Sequence, residues 1–148
     1  MAFVNADEVA KDVFGETAQE NSYHAAQIAT KMREDLLIQG RSFCFETVFS
    51  HHSKIDFVAK AKALDYCVNF VFIHIDEPEL NIARVSNRVN EGGLNVPEEK
   101  IRTRLPRTLK NVAVAAQLAD HFIVFDNSRL DQPFEKILRI KNVLPRAL

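Results

Sequence analysis

The sequence has little of several features that would assign a protein to a class at once. Cysteine is scarce: only Cys44 and Cys67 occur in 148 residues, and both lie in apolar runs. This pattern favours buried free thiols over a disulfide or a metal-binding pair, and it predicts a reducing, cytoplasmic compartment. No apolar run is long enough to cross a bilayer, and no basic segment precedes an apolar one at the N-terminus. We therefore expect neither membrane attachment nor a signal peptide.

An excess of charge of one sign is also missing. The chain has 19 Lys and Arg residues and 20 Asp and Glu residues, which gives a formal net charge of -1. Such a chain has no overall attraction to nucleic acid or to an anionic membrane. Aromatic residues are not interleaved with basic ones as they are in proteins that bind single strands. The charge pattern therefore predicts neither a nucleic-acid partner nor a membrane partner.

Linkers rich in proline, glycine or serine, internal repeats and low-complexity tracts are absent as well. The length and a hydrophobic fraction of 47% predict a single domain over residues 1–148. A metal site is not predicted either. The adjacent pair His51 and His52 would point apart on a helix or strand, and no third ligand stands at a useful spacing.

Apolar segments alternate with helical patterns, which predicts an α/β fold with a parallel sheet flanked by helices. Strands are predicted at residues 1–6, 42–48, 66–75 and 121–125. The segment 66–75 is nearly continuously apolar, which is typical of a strand covered on both faces. Helices are predicted at residues 7–14, 17–39, 54–64, 78–90, 97–105, 108–119 and 134–141. Pro106 is expected to form a kink or boundary between two of them.

Polar side chains follow three of the predicted strands. They are Asn5 and Asp7, then Glu46, Thr47 and Ser50, and finally Asp126, Asn127 and Ser128. In an open parallel sheet, ligands bind at the carboxyl ends of the strands. Carboxylates at such ends can bind a metal, accept a substrate proton or fix a hydroxyl group. Taken one at a time, the acidic residues are better explained as helix caps.

Arginine forms a second group of candidate residues. Arg84 and Arg88 are four residues apart on one predicted helix, and Arg102, Arg104 and Arg107 follow the glycine-containing segment 91–97. Several guanidinium groups converging on a cleft are suited to a transferring phosphoryl group. The alternative, which the pattern alone favours, is a solvated helix face paired with glutamates. Segment 91–97 is either a lid or a plain connection.

Five segments stand in an order and spacing typical of one protein family. They read FVNADE at 3–8, SFCFETVFS at 42–50, RVSNRVNEGGLNVPEEKI at 84–101, RTRLPRTLKN at 102–111 and FIVFDNS at 122–128. Together they resemble the zeta-toxin-like P-loop kinases of bacterial toxin–antitoxin systems. The resemblance implies an ATP-dependent kinase, with ATP and Mg2+ as cofactors. Its substrate would be a hydroxyl group of a small molecule similar to a UDP-N-acetyl-amino sugar.

The resemblance also implies roles for the residues after the first two predicted strands. Asp7 matches the position of the general base on the substrate hydroxyl, and Asn5 stands next to it in the same segment. Glu46 and Thr47 match the part of the family pattern that shapes the substrate and Mg2+ side of the site. Ser50 closes the same segment and is expected to contact substrate.

Further residues match the nucleotide side of the family's site. Arg84, Arg88 and Arg104 lie where the family carries arginines that neutralise phosphate charge. Asp126 and Asn127 follow the last core strand near the nucleotide. The two glycines of segment 91–97 match the turn of a lid-like loop.

The sequence departs from the family pattern at its start. The family has a strand and a GxxxxGK(S/T) Walker A loop before the FVNAD segment, whereas this sequence reaches Phe3 at once and has none of its four glycines in such a loop. The expected fold is a P-loop-kinase-like sheet without its first strand and Walker A loop, so ATP binding is expected to be impaired. Strand edges left unpaired predict self-association. The alternative function is a non-catalytic remnant or a module that binds a partner such as an antitoxin-like protein.

Overall fold

The computed structural model of the protein describes residues 1–142, in which helices and strands are interspersed along the chain. Within that range the helices are α1 (Ala6–Phe14), α2 (Ser22–Ile38), α3 (Ser53–Ala63), α4 (Pro78–Asn90) and α5 (Glu98–Leu118). The strands are β1 (Ala2–Val4), β2 (Phe43–Phe45), β3 (Asn69–His74), β4 (His121–Asp126) and β5 (Glu135–Lys141). The mixed α/β class is confirmed. None of the helices within residues 1–142 has the length and apolar character that crossing a membrane requires.

The chain divides into two compact units. The first consists of Met1–Val48 and Ser86–Asn95, and the second of Phe49–Val85 and the chain from Val96 onward. Helix α4 supplies residues to both. Each unit has its own small sheet, and the prediction of one domain over the whole chain stays a prediction.

The first unit packs two helices against a parallel pair of strands. β1 and β2 run parallel with Val4 opposite Phe45, and Val4 is only 1% exposed. Small residues fill the space beside them, because Ala10, Ala25 and Ala29 are all completely buried. Alanines let helix backbones approach closely, so α1 and α2 form a tight layer under the strand pair.

A charged residue also lies in the core of the first unit. Arg33 of α2 is 5% exposed, and its guanidinium carbon lies 5.0 Å from the centre of the Phe45 ring. Its Nη2 donates to Thr30 Oγ1 at 2.9 Å. Burial lowers the pKa of Arg33, and the neighbouring Glu34 raises it. Because Arg33 belongs to α2 and Phe45 to β2, their cation–π contact connects the helix with the strand.

The second unit contains a three-stranded sheet in the order β3-β4-β5. β3 and β4 are parallel, and β5 is antiparallel to β4. Helices α3 and α5 cover one face, where Val58 and Val112 pack against Phe122 and Val124. The strands predicted at 66–75 and 121–125 are confirmed, and the structure shows that they are neighbours in a parallel pair.

Asp120, which immediately precedes β4, connects several elements of this unit. No sequence pattern indicated this role. Both of its carboxylate oxygens accept from Lys62 Nζ at 2.7 Å, and Oδ2 also accepts from the backbone N–H of Val68 at 2.7 Å. Its own backbone N–H donates to Val68 O at 2.9 Å, and its carbonyl accepts from Asn142 N at 2.9 Å. Asp120 therefore joins α3, β3, β4 and the end of β5.

The helix predicted at 134–141 is wrong, because this segment forms β5. Its apolar residues Ile137, Leu138 and Ile140 fit helical spacing as well as a strand. Pairing with β4 satisfies the hydrogen-bonding groups of the backbone and favours the strand over the helix. The expectation of a purely parallel sheet is therefore also wrong at this edge. A register shift at Val124 and Phe125 introduces a bulge into the pairing.

Of the two alternatives predicted at Pro106, a kink or a helix boundary, the boundary is wrong. α5 is one helix of 21 residues with Pro106 inside it. Proline removes one backbone hydrogen bond from a helix. In a helix of this length, the packing of Thr108, Val112 and Ala115 in the interior outweighs that loss.

Two predictions of burial are also wrong. Cys44 and Cys67 are free thiols as expected, but both are exposed. Within residues 1–142, β3 is covered on one face only, since Val71 and Ile73 are 54% and 49% exposed. The apolar character of a strand does not reveal how many layers the chain provides to cover it.

The Asp120 contacts lead to a test of stability. Burial raises the pKa of Asp120, but the hydrogen bonds from Lys62 and Val68 N and the charge of Lys62 outweigh it, so the pKa lies below its ordinary value. A carboxylate with a lowered pKa stabilises the fold above its unfolded pKa, and this contribution is lost as the pH falls through the folded pKa. We expect Asp120→Asn to lower the free energy of unfolding by about 2 kcal/mol at neutral pH.

The measurement is urea unfolding between neutral pH and pH about 3, and the difference between the two proteins should shrink below pH about 4. Asp65→Asn is the matched control, because Asp65 is exposed and its backbone φ of 61° suits asparagine equally. A difference that stays constant over this pH range would contradict the role of the carboxylate charge.

Candidate functional site

Asn5 organises the edge of the first sheet. Its Oδ1 accepts from the backbone N–H groups of Asp7 at 2.7 Å and Glu8 at 3.3 Å, so Asn5 is the N-cap of α1. Its Nδ2 donates to Glu46 Oε2 at 2.9 Å. Because β1 and β2 are parallel, Asn5 and Glu46 follow the same end of neighbouring strands. The side chain of Asn5 therefore contacts both the backbone of Asp7 and the carboxylate of Glu46.

Asp7 is not the helix cap. It lies in the first turn of α1, with its backbone bound to Asn5 and its side chain exposed. A carboxylate at this position interacts favourably with the positive end of the helix dipole. Asn5 performs the capping role that the sequence offered for Asp7. The Asp7 carboxylate thus stands on a rigid turn, accessible to a ligand.

Glu46 and Thr47 continue the chain beyond β2. The backbone N–H of Glu46 donates to Val4 O at 3.1 Å, which extends the parallel pairing by one bond. Its exposed carboxylate keeps capacity to accept hydrogen bonds besides the one from Asn5, because a carboxylate has about four acceptor positions. Thr47 is half-buried beside it. This edge therefore offers carboxylate and hydroxyl oxygens to a polar ligand.

Ser50 belongs to the second unit and follows a strained residue. Phe49 is 5% exposed and has a backbone φ of 62°, which is unfavourable for a bulky side chain. Asn111 Nδ2 donates to Phe49 O at 3.0 Å, and the ring of Phe70 packs edge-on at 4.8 Å. Asn111 therefore fixes the turn on which Ser50 lies. Asn111 ends the segment 102–111, and no sequence pattern indicated this role.

Asp126 shapes the turn after β4. Its Oδ1 accepts from Ser128 Oγ at 2.6 Å and from Ser128 N at 3.0 Å. These hydrogen bonds, with the nearby His74 and Arg129, outweigh partial burial and lower the pKa of Asp126. The Ser128 hydroxyl also accepts from Asp76 N at 2.9 Å, which connects the loops after β3 and β4. The geometry is that of a local turn closed by the Asp126 side chain. Because β5 and not a helix follows, Asp126 is not the helix cap that the sequence favoured for acidic residues.

Asn127 has a comparable structural position. Its backbone N–H donates to His74 O at 2.8 Å, and its Oδ1 accepts from Phe134 N at 3.3 Å. Asn127 thereby holds both ends of the connection that leads into β5. His74 lies with Nε2 2.6 Å from Asp76 Oδ1. No group of three or more His, Cys, Asp or Glu side chains within residues 1–142 is arranged to hold a metal ion.

The arginines occupy different environments. Arg102 Nη1 donates to Glu79 Oε1 at 2.6 Å in an exposed pair, as a solvated helix face predicts. Arg84 is half-buried, and its Nη1 has no hydrogen-bond partner among the residues that the structure describes. Arg104 is half-buried on α5, and Arg88 is exposed near the end of α4. Of these, Arg84 is the side chain that an anion would satisfy.

The glycines of segment 91–97 end α4. Gly92 has a φ of 87°, and Gly93 N donates to Arg88 O at 2.7 Å. A side chain at Gly93 would come within 2.8 Å of the same carbonyl oxygen, so this position has no room for alanine. Helix C-termini commonly use glycine in this way.

The residues after these glycines are attached to the first unit. Leu94 packs against its core, Asn95 N donates to Gln19 Oε1 at 2.8 Å, and Gln19 Nε2 donates to Asn95 O at 3.3 Å. No sequence pattern indicated this role of Gln19. The two residues are 76 positions apart, and a single polar residue in a turn carries no pattern that would predict such a contact.

The predicted site residues are thus distributed over both units. The first unit contains Asn5, Asp7, Glu46, Thr47 and Arg88. The second contains Ser50, Arg84, Arg104, Asp126 and Asn127. Direct hydrogen bonds join Asn5 with Asp7 and with Glu46, and the convergence of the remaining residues stays a prediction.

Comparisons with protein families, with curated proteins and with solved structures find no match to this chain. The resemblance of its five segments to zeta-toxin-like kinases therefore stays a prediction.

The two hydrogen-bonding roles of Asn5 can be separated by substitution. We expect Asn5→Ala to lower the free energy of unfolding by about 1 kcal/mol, because the N-cap of α1 is lost. Asn5→Ser should recover most of this loss, since serine also caps helices, although it cannot reach Glu46 in the same way. The measurement is urea unfolding followed by circular dichroism. Asn87→Ala, in the exposed part of α4, serves as a control that should not destabilise. Equal stability of Asn5→Ala and the unchanged protein would contradict the capping role.

Proposed function

We propose that this chain is a zeta-toxin-like phosphotransferase domain, which uses ATP to phosphorylate a hydroxyl group of a small molecule similar to a UDP-N-acetyl-amino sugar. The observation that carries the proposal is the contact of Asn5 with Asp7 and Glu46 at the carboxyl edge of two parallel strands. Such edges are the usual ligand sites of parallel sheets. The order of the five sequence segments supports the choice of family.

In this proposal Asp7 is the general base. The substrate hydroxyl gives its proton to the Asp7 carboxylate while its oxygen forms a bond to the terminal phosphorus of ATP. The bond between that phosphorus and the bridging oxygen breaks, and ADP leaves with the electron pair. Asp7 suits this role because its side chain is exposed while Asn5 fixes its backbone. A positioned base contributes about 100- to 10,000-fold to the rate of such a step.

Glu46 is proposed to position the substrate. Its carboxylate is oriented by Asn5 and can accept a hydrogen bond from a sugar hydroxyl. The hydroxyl groups of Thr47 and Ser50 are also proposed to position the substrate. Carboxylate and hydroxyl oxygens are also the ligands that Mg2+ accepts together with substrate phosphates, so Glu46 and Thr47 would hold Mg2+, which neutralises phosphate charge when bound.

The arginines are proposed to bind the phosphates. The buried Nη1 of Arg84 has no protein partner among the described residues, and leaving such a donor unsatisfied is costly. A phosphate oxygen would satisfy it through a charge-assisted hydrogen bond. Arg88 and Arg104 have the same role in the proposal. Asp126 and Asn127 are proposed to contact the nucleotide. The free thiols and a nucleotide-sugar substrate both fit a reducing cytoplasm.

The test combines ligand binding with turnover. A melting curve with UDP-N-acetylglucosamine or Mg2+-ATP at about 100 times the dissociation constant should show about 2.7 kcal/mol of added stability. Arg84→Ala should remove the shift caused by Mg2+-ATP. Asp7→Asn should keep both shifts but lower the rate of ADP formation by about 100-fold or more. Asp12→Asn, another exposed acidic residue of α1, is the matched control and should leave the rate unchanged.

Absence of both melting shifts together with absence of turnover would overturn the kinase proposal. An Asp7→Asn protein with full activity would overturn the assignment of the base alone. A melting shift with the sugar nucleotide but none with Mg2+-ATP would support the substrate site and exclude a site for ATP. The sequence contains no GxxxxGK(S/T) segment, and this experiment decides whether the arginines bind nucleotide without it.

A second candidate function is a non-catalytic module that binds a partner protein. The observation that favours it is the exposure of Val71 and Ile73, at 54% and 49%, on the sheet of the second unit. Aliphatic side chains that lie together on a surface are frequently covered by a partner. A module of this kind would show partner binding without any melting shift from either nucleotide.

A further inference from the structure

The sheet of the second unit has one face without a helical layer in the described structure. On the inner face, Phe70, Phe122 and Val124 pack with residues of α3 and α5. Side chains of a strand alternate between faces, so Val71 and Ile73 point to the opposite side. The register places Val71 beside Ile123 and Ile73 beside Phe125. We name the face that carries Val71, Ile73, Ile123 and Phe125 the outer face.

A row of cations borders this apolar stripe. On β5 the residues opposite His121, Ile123 and Phe125 are Lys141, Arg139 and Lys136. Residues directly opposite one another in a sheet share a face, so all three cations belong to the outer face, and all are exposed. Among the described residues of β3, β4 and β5, the outer face has no Asp or Glu, since Glu135 pairs with Asp126 on the inner face.

We infer that the outer face binds an amphipathic α-helix of a partner protein, with an apolar side towards the stripe and acidic residues along one flank. Neighbouring strands are about 4.8 Å apart, so a stripe on two strands with a cationic third strand matches the width of one helix, about 10 Å. Six-residue strands span about 20 Å, the length of a helix of about 13 residues. The cations of β5 select the acidic flank by charge complementarity.

A second copy of this chain is a poorer match. A symmetric contact between two copies brings the same patch together with itself, so the patch must be complementary to itself. The outer face has three cations and no described acidic residue, which leaves them without counter-charges. An anionic membrane is also a poorer match. The stripe contains β-branched residues and one phenylalanine, and the sequence has no tryptophan with which to anchor at a lipid interface.

This inference goes beyond the phosphotransfer proposal and does not depend on it. Its test uses the full chain and a fluorescein-labelled helical peptide of about 14 residues, with leucines along one side and glutamates along one flank. A second peptide has lysine in place of each glutamate. Fluorescence anisotropy should show the acidic peptide binding at least about 10-fold more tightly, with an affinity that falls as salt is added.

Substitutions in the protein locate the binding surface. Arg139→Glu with Lys141→Glu should weaken binding of the acidic peptide about 10-fold and favour the basic peptide. Ile73→Lys should weaken both peptides. The matched control is Lys100→Glu with Lys110→Glu, which makes the same charge change at exposed positions of α5 and should leave binding unchanged. Melting curves check that each variant is folded.

Several results would overturn the inference. They are equal affinity for the two peptides, failure of both to bind, or unchanged binding after reversal of the β5 charges. A dimer seen by sedimentation and dissociated by Ile73→Lys would assign the outer face to a second copy. Cosedimentation with phosphatidylcholine and phosphatidylserine vesicles, lost on reversing the β5 charges, would assign it to a membrane.

Discussion

The second unit depends on one carboxylate at the start of β4. Asp120 accepts hydrogen bonds from Lys62 and from the backbone of Val68, and its own backbone joins β3 and the end of β5. The charged pair of Lys62 and Asp120 is only about one-quarter exposed, and such a pair is costly to desolvate. The additional hydrogen bonds of the Asp120 carboxylate offset this cost. Here those bonds fix where β3 and β4 begin relative to each other. The parallel register sets which residues lie at the carboxyl ends and which lie on the outer face.

In the first unit a neutral amide has the corresponding role. Asn5 caps α1 with its carbonyl oxygen and binds Glu46 with its amide nitrogen. Aspartate could make the first contact but would repel Glu46, and serine is too short to make both. β1 has only three residues, so side-chain bonds at its end matter more than they would in a long strand. The same residue therefore starts the helix and orients a candidate ligand group.

Local patterns predicted the elements whose periodicity was unambiguous, and they failed where tertiary pairing decided. β3 and β4 followed from their apolar runs, whereas no pattern predicted the hydrogen bond of Asn5 to Glu46, although both residues stand at the ends of predicted strands. Residues 134–141 have apolar positions that fit either period, and only the free edge of β4 made them a strand. The bonds of Gln19 and Asn111 were beyond prediction, because each joins distant parts of the chain through one polar side chain.

Three carboxylates stand at strand ends, and their surroundings differentiate them chemically. Asp126 is occupied by the hydroxyl and backbone of Ser128, which lower its pKa and so make it a weaker base. Glu46 is held by one amide and keeps other acceptor positions, which suits it to bind a hydroxyl group. Asp7 has its backbone fixed while its side chain remains exposed, which is the combination that a proton acceptor requires. A strand-end carboxylate becomes a candidate base when the turn that follows is stabilised by another residue.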